Sequence, residues 1–242
     1  MSNTLIIVPA YNEGASIGGV LADLYRELPD AEILVVDDGS LDDTAAQARA
    51  QAPAGQNLRV VRLSANLGIG GAVQTGLRYA VEQGHQRAVQ VDGDGQHPAA
   101  AARQLLERLD AGTADVVIGS RFVPGSEGFS STLMRRLGIT ILSRTLRMLG
   151  GPAILDVTSG LRAYGRRALV HLAARYPPDY PEPEALRLLQ GSGCRIEEVP
   201  VAMVARAHGT SSISRLGSAF YMTRVLLGLV LLRASRRQVK AS

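Results

Sequence analysis

The 242-residue chain is 46% hydrophobic and 20% charged, which excludes a disordered or fibrous protein and suits a folded one with a sizeable core. Its one cysteine, Cys194, excludes an internal disulfide and fits a reducing compartment. The formal charge of +4 is carried by arginine, Lys240 being the only lysine; this suits anionic partners, while 4% aromatic content gives little support to a nucleic-acid surface.

The opening "MSNTLIIVPAYNE" has no basic n-region and only a brief apolar stretch before Pro9, so neither a signal peptide nor a membrane anchor is expected. "TLIIVP", "AEILVVDD", "LRVVRL", "RAVQVD" and "ADVVIGS" are short β-branched runs that predict strands. Between them Ile17, Val20, Leu21 and Leu24 share one helical face, as do Val73, Leu77 and Ala80, and Leu105, Leu106 and Leu109 mark a third helix. Ser16 and Asp43 are expected N-caps, and Pro98 suits a first helical turn. Continuous apolar strands alternating with helices imply an α/β fold, its central sheet mostly parallel and flanked by helices.

After residue 125 the rhythm changes. "STLMRRLGITILSRTLRMLGG" predicts an apolar helix studded with arginines and ended by Gly150, Gly151 and Pro152. "DVTSGLRAY" reads as a loop and strand, "EALRLLQGSG" as a helix with a glycine stop, and "RIEEVPVAMVA" as a strand. The tail is helical and apolar from Val225 to Leu232, far short of the roughly 20 residues a spanning helix needs. The expected organisation is one catalytic domain over residues 1–212, followed by an apolar–basic C-terminal helix over 213–242.

Ligands of such sheets bind beyond the carboxyl ends of the strands. "PAYNE", "DDGS", "SANLGIG", "DGDGQHP" and "GSRF" all follow strand ends and so converge on one rim. There "VDGDGQHP" places Asp92 and Asp94 one residue apart, with glycines at 93 and 95 permitting a tight turn. Two carboxylates so close suit a hard divalent ion, Mg²⁺ or Mn²⁺, that completes its shell with substrate phosphates. Gln96 offers a further oxygen, and a solvated Asx turn is the plain alternative. Tyr11 is suited to stacking on a base, Glu13 to bonding base or ribose, and Asp37 or Asp38 to accepting a nucleobase N–H, whereas Asp42 and Asp43 read as capping residues. "NLGIGGAVQTG" is not a dinucleotide fingerprint, because the sixth position from Gly68 is Val73; its glycines suit close packing or backbone approach to a ligand.

Together "IIVPAYNE", "VVDDGSLDDT", "NLGIGGAVQTGL", "VDGDGQHP" and "SGLRAY" resemble the family 2 glycosyltransferases of GT-A fold, most closely the polyprenyl-phosphate and dolichol-phosphate group, from about Leu5 to Ser212. The resemblance implies transfer of a hexose from GDP-mannose, UDP-glucose or a similar donor to a polyprenyl phosphate, at the cytoplasmic face of the membrane. It implies that Pro9, Tyr11, Glu13, Val36 and Asp38 hold the nucleotide, that Asp92, Asp94 and Gln96 hold the metal, and that Gly93 lies along the donor. Arg121, Arg135 and Arg206 would meet donor or acceptor phosphates, with Arg136 competing for the role of Arg135 and Ser212 beside the acceptor phosphate. Asp92, Asp94 and Arg121 form the implied catalytic set, and Glu182 or Glu184 of "PEPEAL" lies near the sugar.

Two departures stand out. Many relatives carry a lysine in the glycine loop where this chain has Ile69, and many continue into transmembrane helices. The helix at 133–149 and the tail are candidates for the bilayer interface, a small membrane-protein partner, a second subunit, or ordinary domain packing. A GT-A enzyme with a soluble or glycan acceptor, a sugar nucleotidyltransferase and a membrane-associated scaffold are the competing functions. "PAYNEGAS" lacks the basic glycine-rich loop of a nucleotidyltransferase.

Overall fold

The computed structural model describes residues 3–52, 57–126, 133–151, 153–178 and 181–204, with the backbone alone at 133–135. Seven strands form one sheet in the order β3-β2-β1-β4-β6-β5-β7. The five apolar runs become β1 (Thr4–Ala10), β2 (Glu32–Asp37), β3 (Leu58–Arg62), β4 (Arg87–Gln90) and β5 (Val116–Ser120). β6 (Arg162–Gly165) is antiparallel to β4 and β5 and separates them, while β7 (Ile196–Pro200) runs parallel to β5 on the far edge.

Side-chain alternation divides the core into two layers. Leu5, Ile7, Leu34 and Val36 meet Val73 and Leu77 of α3 (Gly68–Glu82), with α5 (Leu133–Met148), α6 (Arg166–Ala174) and α7 (Pro181–Gly191) on the same face. Ile6, Val8, Ile33 and Val35 meet Leu21 and Leu24 of α1 (Ile17–Glu27), Ala48 of α2 (Thr44–Ala50) and Leu105 of α4 (Ala99–Asp110). Strands apolar at both parities are therefore covered on both sides, as the sequence predicts. Each fully buried Leu or Ile of these layers contributes about 1.5–3 kcal/mol.

Local expectations fare unevenly. The predicted faces of α1, α3 and α4 are the buried ones. Ser16 precedes α1 but holds an αR backbone, whereas a capping residue needs an extended one; its hydroxyl instead donates to the carbonyl of Gly93 at 2.8 Å. Asp43 makes no cap, and Asp42 accepts the Thr44 N–H at 3.0 Å in its place. Pro98 stands just outside α4 rather than in its first turn. α6, which the sequence reading left unassigned, packs against α3 through Leu169 and Leu172. Gly70 shows why α3 opens with glycines: a Cβ there would lie 2.4 Å from the carbonyl oxygen of Pro178.

Because six strands point the same way and β6 points back, one rim collects the carboxyl ends of β1, β2, β4, β5 and β7 together with the amino end of β6.

Candidate active site

A cleft of about 820 Å³ opens at that rim. The end of β1 supplies Pro9 and the loop after it Tyr11, Asn12 and Glu13, and this loop is clamped to the loop after β2. Asn12 adopts φ 55°, the left-handed conformation that asparagine tolerates better than most residues. From there its N–H donates to Ser40 Oγ at 3.0 Å and its Oδ1 accepts the Leu41 N–H at 2.8 Å. Glu13 N–H adds a bond to Thr44 Oγ1 at 2.8 Å, and Tyr11 is left exposed at the cleft wall, suited to stacking on a base. In the sequence Asn12 is marked only as a polar residue between Tyr11 and Glu13 in a tight loop, too slight a signal to single it out.

Asp38 lines the cleft at the end of β2 and accepts the Leu67 N–H at 2.8 Å. Burial pushes its carboxyl above the ordinary aspartate range; the N–H groups of Leu67 and Gly68 oppose that shift, and Asp37 adds to it. Asp37 is turned away, accepting the Ser40 N–H at 2.9 Å and facing Arg62 Nε at 3.4 Å. Val36, expected to hold the nucleotide, has its side chain wholly inside the core under α3 and is not among the residues lining the cleft. Gly68 and Ile69 bring the amino end of α3 to the same cleft, where a helix terminus favours anionic groups.

The acidic turn faces this terminus. Gly93 N–H donates to the Pro9 carbonyl at 3.2 Å, and Ser16 holds the Gly93 carbonyl, so the turn is fastened to β1 and α1. Asp94 Oδ1 accepts the Gln96 N–H at 3.0 Å; the Asx turn exists, and both Asp92 and Asp94 still line the cleft. The backbone N–H of Asp92 donates to His97 Nδ1 at 3.3 Å. Asp92 also lies against Gly160, where a Cβ would stand 2.8 Å from Oδ2. Among the described residues no group of three or more His, Cys, Asp or Glu side chains gathers as a metal cage. Two carboxylates on one wall nevertheless fit a hard divalent ion that draws its remaining ligands from phosphate and water. Gln96, expected as a third ligand, is not among the residues lining the cleft.

Opposite, the start of α7 presents half-buried Glu182, while Glu184 does not line the cleft. Burial raises the Glu182 carboxyl above its ordinary range; Arg162 draws it back down and the charge of Asp92 raises it further. Arg162 is completely buried and donates to the carbonyls of Ser159 (2.8 Å), Val157 (3.1 Å) and Glu182 (2.9 Å). It thereby pins the wall carrying Thr158 and Gly160 to the α7 terminus. Nothing in the sequence singles out the arginine within "SGLRAY" as this anchor.

A second cleft of about 720 Å³ lies beyond that wall, lined by Arg121, the 122–126 loop, Arg136, Arg144 and Arg147 of α5, Ala153 and Leu155. Arg121 lines this cleft and not the first. Its Nε and Nη2 each donate to Asp156 at 2.7 Å, and Nη2 also donates to Thr158 Oγ1 at 3.0 Å, so the guanidinium spans from one cleft wall to the other. Of the two candidates on α5, Arg136 lines the cleft; the side chain of Arg135 lies outside the described residues, as do Arg206, Ser212 and the 213–242 segment. The outer face of α5 exposes Leu137, Ile141 and Met148 among these arginines, with no acidic residue in the helix. No described helix is long and apolar enough to cross a membrane.

Residues 5–172 match the family described as Glycosyl transferase family 2. The chain is 34% identical over 216 residues to the polyprenol monophosphomannose synthase of Mycolicibacterium smegmatis, covering 87% of this chain and 81% of that one. It is 34% identical over 213 residues to the undecaprenyl-phosphate mannosyltransferase of Micrococcus luteus, covering 87% of each. Its fold matches the crystal structure of glucosyl-3-phosphoglycerate synthase from Mycobacterium tuberculosis, in complex with Mn²⁺, UDP and phosphoglyceric acid, with a TM-score of 0.69 at 22% identity over 98% of this chain and 80% of that one. The architecture is the GT-A fold.

Proposed function

The chain belongs to glycosyl transferase family 2, and on that premise we propose that it moves a hexose from a nucleotide-diphosphate sugar to a polyprenyl phosphate, with inversion at the anomeric carbon. The observation that carries this reading is the pairing of two clefts at one sheet rim. One has carboxylates and a helix amino terminus suited to a metal-borne diphosphate, and the other, across a shared wall, is lined by four arginines. The names of both curated relatives specify polyprenyl acceptors and mannose, which makes mannose the first sugar to test.

In this reading Tyr11, Glu13 and Asp38 hold the nucleoside, with Pro9 and Gly93 forming the cleft floor beneath the donor. Asp92 and Asp94 would hold Mg²⁺ or Mn²⁺, which when bound neutralises charge on the departing diphosphate. Arg121 and Arg136 orient the acceptor phosphate, with Arg144 and Arg147 extending the positive field along α5. A phosphate monoester has a second pKa near ~6 and is largely dianionic at neutral pH, so its oxygen attacks without a strong general base. The new bond joins that oxygen to the anomeric carbon from the face opposite the diphosphate. The breaking carbon–oxygen bond leaves its electron pair on the nucleoside diphosphate. Glu182, half-buried in the same cleft as Asp92, would accept a hydrogen bond from a sugar hydroxyl.

The exposed apolar–basic face of α5 supports a peripheral position on the inner face of the cell membrane, arginines toward lipid phosphates. Incubation of the full chain with Mn²⁺, undecaprenyl phosphate and either GDP-mannose, UDP-glucose or UDP-N-acetylglucosamine tests the reading by mass spectrometry. A glycosyl lipid phosphate and an equal amount of nucleoside diphosphate are expected from at least one donor. Nucleoside diphosphate released only when a soluble or glycan acceptor is supplied would refute it.

A further inference from the structure

The two neighbouring glutamates of β7 point to opposite faces of the edge strand and do different things. Glu197 pairs with Arg108 on the surface at 2.7 Å. Glu198 spends both carboxylate oxygens on two successive backbone amides of a loop: Oε2 accepts the Leu155 N–H and Oε1 the Asp156 N–H, each at 2.8 Å. Asp156 has no solvent exposure, and its own carboxylate accepts from the Arg121 backbone N–H at 3.0 Å as well as from Nε and Nη2. A continuous series of charge-assisted bonds thus runs from the sheet edge to the guanidinium.

We infer that Glu198 is a positioning residue for Arg121, acting through Asp156, and that it sets the acceptor side of the site more than the donor side. The inference rests on the acceptor role proposed above for the arginine-lined cleft. A free arginine side chain samples many rotamers, and a carboxylate meeting it in a two-pronged fork fixes the plane in which it presents its donors. That carboxylate is itself only as fixed as the loop beneath it. Glu198 holds residues 155 and 156, whereas residues 157 and 159 have separate anchors. Those anchors are Arg162 to the carbonyls of Val157 and Ser159, and Ser159 Oγ to the Gly119 carbonyl at 2.6 Å. The backbone of the wall facing the nucleotide is therefore secured mainly without Glu198, although the Thr158 hydroxyl meets both Arg121 and Asp156.

Replacing Asp156 removes one partner of a buried ion pair and endangers folding; Glu198, half-buried on an edge strand, is the informative site. Full-length parent, Glu198→Ala and Glu198→Gln are to be compared. In Glu198→Ala the KM for undecaprenyl phosphate is expected to rise about tenfold, the effect of losing bonds to a charged group. The KM for the sugar nucleotide should stay unchanged. Glu198→Gln, which keeps one acceptor oxygen, should recover part of the loss. The Arg121 Nε–H resonance, assigned by its disappearance in Arg121→Lys, should be sharp in the parent and broadened in Glu198→Ala. An unaltered Arg121 resonance in Glu198→Ala overturns the inference, as does a parallel rise of both KM values with a falling Tm. A parent that transfers nothing to undecaprenyl phosphate defeats the functional reading instead, and the resonance then decides the positioning claim alone.

Discussion

The carboxylate of Asp92 rests against the backbone of Gly160: a Cβ at 160 would lie 2.8 Å from Oδ2 and 3.0 Å from Oδ1. The approach joins the turn after β4 to the loop before β6, and only a residue without a side chain permits it. Gly160→Ala is therefore expected to displace Asp92 and lower transfer about a hundredfold, the scale of a 1 Å misplacement in a reacting centre. Steady-state kinetics with Mn²⁺ titrated across the assay, beside a thermal melt close to that of the parent, provides the check.

Asp94 serves the same turn from its other side, and its bond to the Gln96 N–H lies within the turn itself. Asp94→Ala should cost about 10²–10³ in turnover, as losing one preorganised electrostatic partner does elsewhere. Far-UV circular dichroism should be unaltered. Undiminished turnover with added Mg²⁺ or Mn²⁺ would remove the acidic turn from the mechanism.

Asp38 links stability to pH. Its carboxyl is raised by burial, so the folded state holds a proton that the unfolded state has already released. The stability it contributes is complete below the ordinary aspartate value and is lost as pH rises through the raised folded value. Asp38→Asn keeps an oxygen for the Leu67 N–H and removes the buried charge. Its Tm relative to the parent should therefore increase from acid to neutral pH, while nucleotide binding weakens. A Tm difference that is flat across this range contradicts the prediction.

Ile69 is exposed at the amino end of α3 and lines the cleft, an apolar side chain where a cation would meet phosphate. Ile69→Lys should tighten nucleoside diphosphate binding about two- to fivefold, the scale of one exposed ion pair at its upper end. Calorimetry at two salt concentrations should show the gain shrinking as ionic strength rises.

The sheet and its rim were legible because β-branched runs and helical faces alternate so regularly. Pro9, Tyr11, Glu13, Asp38, Asp92 and Asp94 all proved to line one cleft. What stayed hidden was relational. "RAYG" gives no sign that its strand runs against its neighbours, since direction follows from the path of the intervening chain. Val36 carried the same apolar character whether it faced core or ligand, and its burial was decided by α3. Arg121 was visible as a cation at a strand end, but its partner Asp156 lies 35 residues away and nothing local announces it. Glu198 reads as one of two ordinary surface acids until its amide partners are known.

The reversed direction of β6 has a consequence for the shape of the rim. A strand that enters the sheet from the ligand side brings its leading segment, not its trailing one, to the place where the two clefts meet. Because that segment is fastened at 155, 156, 157 and 159, it stands as a fixed partition rather than a loose flap.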